Sequence, residues 1–178
     1  MTKSKSAYST PTKSGKIDTH IIVVWVDNEA SVLSRVVGLF SGRGYNIHSL
    51  TVAEIDHDSN KSRITVVTTG TPSVLAQIKA QLDRMVPVFE VHDLTEEGKT
   101  VERELALFSV KGTGNKRVEA LRLADIFRAN VVDSTLASFI FELTGTSEKI
   151  DAFADLMKPL GLIEIARTGI AALGRGNI

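Results

Sequence analysis

Thr69-Gly70-Thr71 recurs as Thr144-Gly145-Thr146, 75 residues later, and this recurrence dictates the architecture. Each copy stands between an apolar run and a helical pattern, and the apolar positions that follow repeat in register: Leu75 with Ile150, Ile78 with Phe153, Leu82 with Met157. Self-similarity at a fixed offset marks one supersecondary unit made twice. In the first unit, His20 to Val26 reads as a continuous apolar strand, Val32 to Gly42 as a helix, and Ile47 to Ile55 and Arg63 to Thr69 as two strands joined by a turn at His57, Asp58, Ser59 and Asn60. A helix opened by Pro72 follows, with Leu75, Ile78, Leu82 and Met85 on one face, and then a strand from Val88 to His92.

The second unit begins with a strand from Leu105 to Val110 and a Gly-x-Gly turn over Lys111 to Gly114. Ala120, Leu123, Ala124 and Phe127 mark its first helix, Asn130 to Ser134 and Ser138 to Leu143 its next strands. Ile150, Phe153, Ala154 and Met157 mark its second helix, and Leu162 to Ala166 is the last strong strand. Both units are split β-α-β repeats, so the fold class is α+β: two tandem ferredoxin-like βαββαβ domains, each a four-stranded antiparallel sheet with two helices on one face. The expected division is a tail over residues 1–18, a first domain over 19–94 and a second over 99–178, with Glu96, Glu97, Gly98 and Lys99 as a polar linker. Uncovered sheet faces and unpaired edge strands make a homodimer the natural expectation.

Composition excludes several classes. The 178 residues contain no cysteine, so a disulfide framework, a thiolate zinc site and a cysteine nucleophile are all ruled out. No apolar run approaches the roughly 20 residues of a membrane span. Lys3, Lys5, Lys13 and Lys16 lie in a Ser/Thr-rich start that has no acidic residue, so the remainder of this charge-balanced chain is acidic. An acidic body argues against nucleic acid as a partner. The tail, too polar to repay its own ordering, reads as disordered, and it lacks the apolar core of a secretory signal and the Arg-rich amphipathic pattern of a transit peptide. The expected location is cytoplasmic.

The chemistry concentrates in Asp27 to Leu50, where a polar loop leaves an apolar strand and opens an amphipathic helix. The first amides of a helix lack intrahelical partners and sit at the positive end of its dipole, so a carboxylate fits there. Asp27, Asn28, Glu29 and the loop carbonyls offer oxygens to an ammonium group. Ser31 is placed as N-cap, and Leu33, Val36, Val37 and Phe40 form the expected buried stripe. Two readings of these residues stay open, a capped helix with no ligand and a pocket for a small amino acid.

Other constellations are weaker. His20, His48, His57 and His92 lack metal-ligand spacing, and the Asp27-Asn28-Glu29 trio has no second acidic cluster to complete a cation site. Gly112-Thr113-Gly114-Asn115-Lys116-Arg117 lacks the P-loop pattern, leaving an anion cradle or an ordinary strand-to-helix turn. No nucleophile elbow occurs, and no catalytic residue is assigned.

The segment DNEASVLSRVVGLFSGRGYNIHSLTVA closely resembles the N-terminal ACT domain of the regulatory (small) subunit of acetolactate synthase, also called acetohydroxyacid synthase. RITVVTTG extends the match, and VERELALFSVKG, ADIFRANVVD, LTGTSEKIDAFADLM and IEIARTGIAALGRG are similar to that family's C-terminal domain. The resemblance implies an ACT domain over 19–94 and a non-catalytic subunit. Its partner would be a catalytic large subunit that holds thiamine diphosphate, magnesium and FAD and joins two pyruvates, or pyruvate and 2-oxobutyrate, in branched-chain amino acid synthesis. No cofactor is expected on this chain. The small subunit would raise that activity and make it sensitive to a branched-chain amino acid, typically valine, bound between two ACT domains. Carried onto this sequence, the loop contacts are Asn28, Ala30, Ser31 and Val32 of one subunit, and the facing contacts are Asn46 and Ile47 of the other. Ser31 stands where the family usually has glycine, and its hydroxyl is expected to compete for the helix amides and to alter selectivity. The alternative is a stand-alone ACT-domain regulator, against which the absence of a helix-turn-helix segment weighs. A small enzyme on the same scaffold has no acid, base and nucleophile to support it.

Overall fold

The computed structural model describes residues 16–56 and 60–176. Residues 1–15 of the expected tail and 57–59 of the expected hairpin turn lie outside the described residues. Strand β1 (Asp18–Asp27) is the spine of the first domain. It pairs antiparallel with β3 (Lys61–Gly70) on one side and β4 (Val88–Asp93) on the other, and β2 (Ile47–Asp56) completes the order β2-β3-β1-β4. Ile22, Val24 and Val26 point to one face, where helices α1 (Val32–Gly42) and α2 (Pro72–Leu82) cover them with Val36, Phe40, Ile78 and Leu82. Ile21 and Val23 point to the other face and are equally buried, which is why the strand reads as continuously apolar. The stripe on α1 is Val32, Val36 and Phe40, so Val36 and Phe40 are buried as expected, Val37 is half-buried, and Val32 takes the place of Leu33, which is 38% exposed. Helix α2 ends at Leu82, so Met85 packs on the core from the turn that follows.

The polar linker expected at 96–99 is half helical. Leu94–Glu97 forms a single turn, α3, because Asp93 caps it by accepting from the amides of Thr95 and Glu96. The second domain then repeats the first. Strand β5 (Thr100–Lys111), helix α4 (Asn115–Phe127), β6 (Asn130–Ser134), β7 (Ser138–Gly145), α5 (Ser147–Met157) and β8 (Leu162–Arg167) give the order β6-β7-β5-β8. The repeated Thr-Gly-Thr phrase has the same job twice: glycine ends the third strand, and the next threonine enters the helix with φ −74° and ψ 159° at Thr71 and φ −72° and ψ 159° at Thr146. Phe108, Phe141 and Phe153 are fully buried, with edge-on ring contacts of 4.8 Å and 6.1 Å between centroids. Each such ring contributes about 1.5–3 kcal/mol on burial.

One element has no counterpart in the expected scheme. β5 starts five residues before Leu105, and its first part, Thr100 to Arg103, pairs with an additional strand, β9 (Ala171–Gly174). This ribbon crosses back onto the open face of the first sheet, where Ala172 and Ile170 join Ile21, Val23, Val67, Leu94 and Trp25 in a third apolar cluster. The open face of the second sheet carries Leu107, Ile140 and Ala166 in a shallow apolar groove.

Candidate functional site

The loop between β1 and α1 is held from both sides. Asp27 N–H donates to Pro87 O at 2.9 Å, Asn28 N–H donates to Asn60 O at 2.8 Å, and Asn60 Nδ2 returns a bond to Asn28 O at 3.1 Å. The Glu29 carboxylate pairs with Arg35 at 2.9 Å, which uses one member of the acidic trio within the loop. Asn28, Ala30 and Ser31 are exposed, and Val32 is buried. Ser31 does not cap the helix. Its backbone is left-handed, φ 69° and ψ 3°, and its hydroxyl donates to Ala30 O at 2.5 Å. The expected competition for the helix amides therefore does not arise, because the left-handed turn aims Oγ back at the preceding carbonyl. Val32 and Arg35 amides bond to Glu29 O and Ser31 O, whereas those of Leu33 and Ser34 have no protein acceptor among the described residues. Two donors at the positive end of a helix are thus open to an anionic group.

The second half of the predicted site begins β2. Asn46 is exposed, with its carbonyl accepting from Thr68 Oγ1 at 2.6 Å and its side-chain amide 3.4 Å from the His48 ring. Ile47 is half-buried against the first core. His48 is the extra residue where the β2–β3 register shifts, and its ring meets Thr69 Oγ1 at 3.0 Å. Within one chain the two halves do not meet. The loop follows Asp27, which pairs with Lys61, whereas Ile47 lies opposite Thr68, which pairs with His20. The stretch of β1 between those levels spans about 24 Å at strand geometry.

Sequence spacing missed three ionic clusters. His20, Asp93 and Glu96 gather with ligand atoms within 4.8 Å of one another, but the Lys79 ammonium already lies against both carboxylates, 3.4 Å from Asp93 and closer to Glu96. In the second domain the nearly buried Glu104 takes Arg167 in a two-pronged pair, and Arg167 also reaches Asp151 at 2.6 Å. The bond to Glu104 holds the guanidinium above its usual pKa despite partial burial. On the open face of the first sheet, His92 sits between Glu90 at 2.8 Å and Glu97 at 3.1 Å. Partial burial lowers its pKa, and the two carboxylates outweigh that and raise it. The Gly112–Arg117 segment is a strand-to-helix turn: Arg117 lies 3.8 Å over the Phe139 ring and donates to Ser134. No helix among the described residues is long and apolar enough to cross a membrane.

Comparison with known proteins decides the family. Residues 22–90 match the AHAS small subunit-like ACT domain, and residues 103–176 match the small subunit of acetolactate synthase. A probable acetolactate synthase small subunit of Archaeoglobus fulgidus is 46% identical over 158 residues, covering 89% of this chain and 98% of its own. The chain belongs to the acetolactate synthase small-subunit family. Within that family, the acetolactate synthase isozyme 3 small subunit of Escherichia coli is 44% identical over 158 residues, covering 88% of this chain and 96% of its own. The crystal structure of the small subunit from Thermotoga maritima superimposes with a TM-score of 0.80 at 35% identity, over 90% of this chain and 99% of that one. The tandem fold is therefore that of the family, with its ACT domain first and its C-terminal domain second.

Proposed function

We propose that this protein is the regulatory subunit of an acetolactate synthase: it activates a separate catalytic subunit and, on binding a branched-chain amino acid between two ACT domains of a homodimer, damps that activity. Valine is the first ligand to test. The thiamine diphosphate, magnesium and FAD of the reaction belong to the catalytic subunit in this reading, and this chain supplies control. The observation that carries it is the separation of the two half-sites to opposite ends of one sheet. β2 is a free edge strand with Val52 and Ile55 exposed along it. Antiparallel pairing of two β2 edges about a two-fold axis sets the start of one β2 beside the loop end of the other sheet. Asn46 and Ile47 of one copy then approach the Asn28 to Val32 loop of the next. The open amides of Leu33 and Ser34 receive the carboxylate, oxygens of Asn28 and Asn46 receive the ammonium, and Val32 and Ile47 flank the branched side chain.

Regulation by this route is linkage. Valine that binds one dimer geometry more tightly displaces the equilibrium from the activating geometry, and a coupling of about 1–3 kcal/mol shifts affinity 5- to 150-fold. Two measurements test it. Calorimetric titration of the full chain with valine, leucine and isoleucine is expected to give saturable heat for at least one of them. Mixing with a catalytic subunit and pyruvate is expected to raise acetolactate formation, which valine then lowers. Silence in the titration up to millimolar ligand removes the effector site, and no activation removes the subunit assignment in favour of a stand-alone sensor.

A further inference from the structure

The effector reading leaves open how the second domain learns the state of the first. One segment ties the domains at a telling place. Ile170, between β8 and β9, is gripped from both sides by the side chains of β2: its N–H donates to Ser49 Oγ at 2.9 Å, and its carbonyl accepts from Thr51 Oγ1 at 3.0 Å. Gly169 makes this approach possible. It holds φ +86°, and a Cβ there would stand 2.7 Å from Ser49 Oγ and 3.0 Å from Thr51 Cγ2. On one side the strap is anchored to the second domain by Thr168, whose amide donates to Leu105 O at 3.0 Å and whose hydroxyl oxygen accepts from Leu105 N–H at 3.1 Å. On the other side it runs into buried Ala172, whose carbonyl accepts from Arg63 of β3.

The strap meets β2 immediately after the bulge. Asn46 and Ile47 lie before the shift in register, Ser49 and Thr51 after it, and His48 is the residue that the ladder leaves over. A bulge is a place where one strand changes its pairing without unfolding the sheet. Asn46 and Ile47 are thus joined through one bulged residue to Ser49, and the hydrogen bond that Ser49 makes into the second domain, among the described residues, is the grip on Ile170.

We propose that the Thr168–Gly169–Ile170 strap is the coupling element through which the effector half-site on β2 acts on the second domain. The inference rests on the effector reading above. Gly169 is in this account a positioning residue: it touches no ligand, and it lets the strap lie close enough for Ser49 and Thr51 to hold it.

The test uses the full chain with a catalytic subunit and valine as probe, in wild type, Gly169→Ala and Ser49→Ala. Valine affinity is measured by calorimetry with and without the catalytic subunit, and amide exchange is followed at residues 170–173. In wild type, valine is expected to change exchange at 170–173, and the catalytic subunit is expected to shift valine affinity by fivefold or more, since linkage is reciprocal. In Gly169→Ala both responses are expected to vanish, while valine binding to the small subunit alone stays within about threefold. Ser49→Ala, which removes one hydroxyl and adds no bulk, is expected to reduce both responses, and it serves if Gly169→Ala fails to fold. Wild type that binds no valine overturns the effector reading, and the coupling falls with it. Wild type that responds while both variants respond equally overturns the strap alone.

Discussion

The two domains close their sheets with ionic clusters at the same topological place and of opposite polarity. In the first, the last strand ends in an acid, Asp93, which meets His20 of β1 and Lys79 of α2. In the second, the equivalent strand, β8, ends in a cation, Arg167, which meets Glu104 of β5 and Asp151 of α5. The first strand, the last strand and the second helix converge there in any βαββαβ unit, because the first and last strands are neighbours and the helix packs over them. Topology thus selects the position and leaves the sign free. Each nearly buried carboxylate is satisfied, Asp93 by His20, Lys79 and two backbone amides and Glu104 by two bonds from the one Arg167 guanidinium, as a charge withdrawn from water must be.

A second pair of equivalent contacts is less interchangeable. Asp27 N–H donates to Pro87 O in the first domain, and Lys111 N–H donates to Gly161 O at 2.8 Å in the second. Proline serves in one and glycine in the other, but Gly161 has φ +109° and a Cβ there would stand 2.0 Å from Lys111 O. Gly161→Ala is expected to have the largest effect of those considered, a loss of about 3 kcal/mol or more in urea unfolding of the full chain, combining backbone strain with a clash that no side chain can yield to. The first domain's exchange protection is expected to persist, which separates the two units.

Arg167→Ala follows. It strands Glu104 at 4% exposure, and the expected cost is about 2–3 kcal/mol, below that of a fully buried pair because the guanidinium is partly in water. A loss below about 1 kcal/mol would mean that Glu104 finds water or another donor, and that the polarity reversal carries little energy. The smallest effect is expected at the helix entrances. α1 and α4 both start from a residue with positive φ, Ser31 at 69° and Gly114 at 56°. Serine pays a steric cost there that glycine does not, so Ser31→Gly is expected to stabilise by about 0.5–1 kcal/mol in the same unfolding measurement. No gain would show that the bond from Ser31 Oγ to Ala30 O offsets the strain.

The repeated phrase made most of this architecture legible, because helix and strand periodicities are local and Leu75, Ile78 and Leu82 announce their face without help from distant residues. Leu33 is exposed because the buried row of α1 runs i, i+4, i+8 through Val32, Val36 and Phe40, and an apolar residue beside that row carries the same local signal as one within it. β9 was illegible because Ala171 to Gly174 has too few residues to show a period, and its partners on β5 lie far away in the chain. The ionic clusters were equally hidden, since His20 and Asp93 meet only through the pairing of β1 with β4, and Lys79 joins them only through the packing of α2 over those strands. Of the candidate site, the sequence supplied the residue types and the helix start. It could not supply the distance between Asn28 and Asn46, which sets the two halves that the resemblance assigns to two subunits at opposite ends of one sheet.

The ribbon that crosses the first sheet also bears on synthesis. Arg63 and Ala172 are 109 positions apart, so the open face of the first domain is finished by residues made long after its own strands have paired. Domains fold in the order they emerge from the ribosome. During that interval Ile21, Val23 and Val67 form an uncovered apolar patch on an otherwise folded domain, and a chaperone that recognises such patches has a window that closes only when the end of the second domain docks.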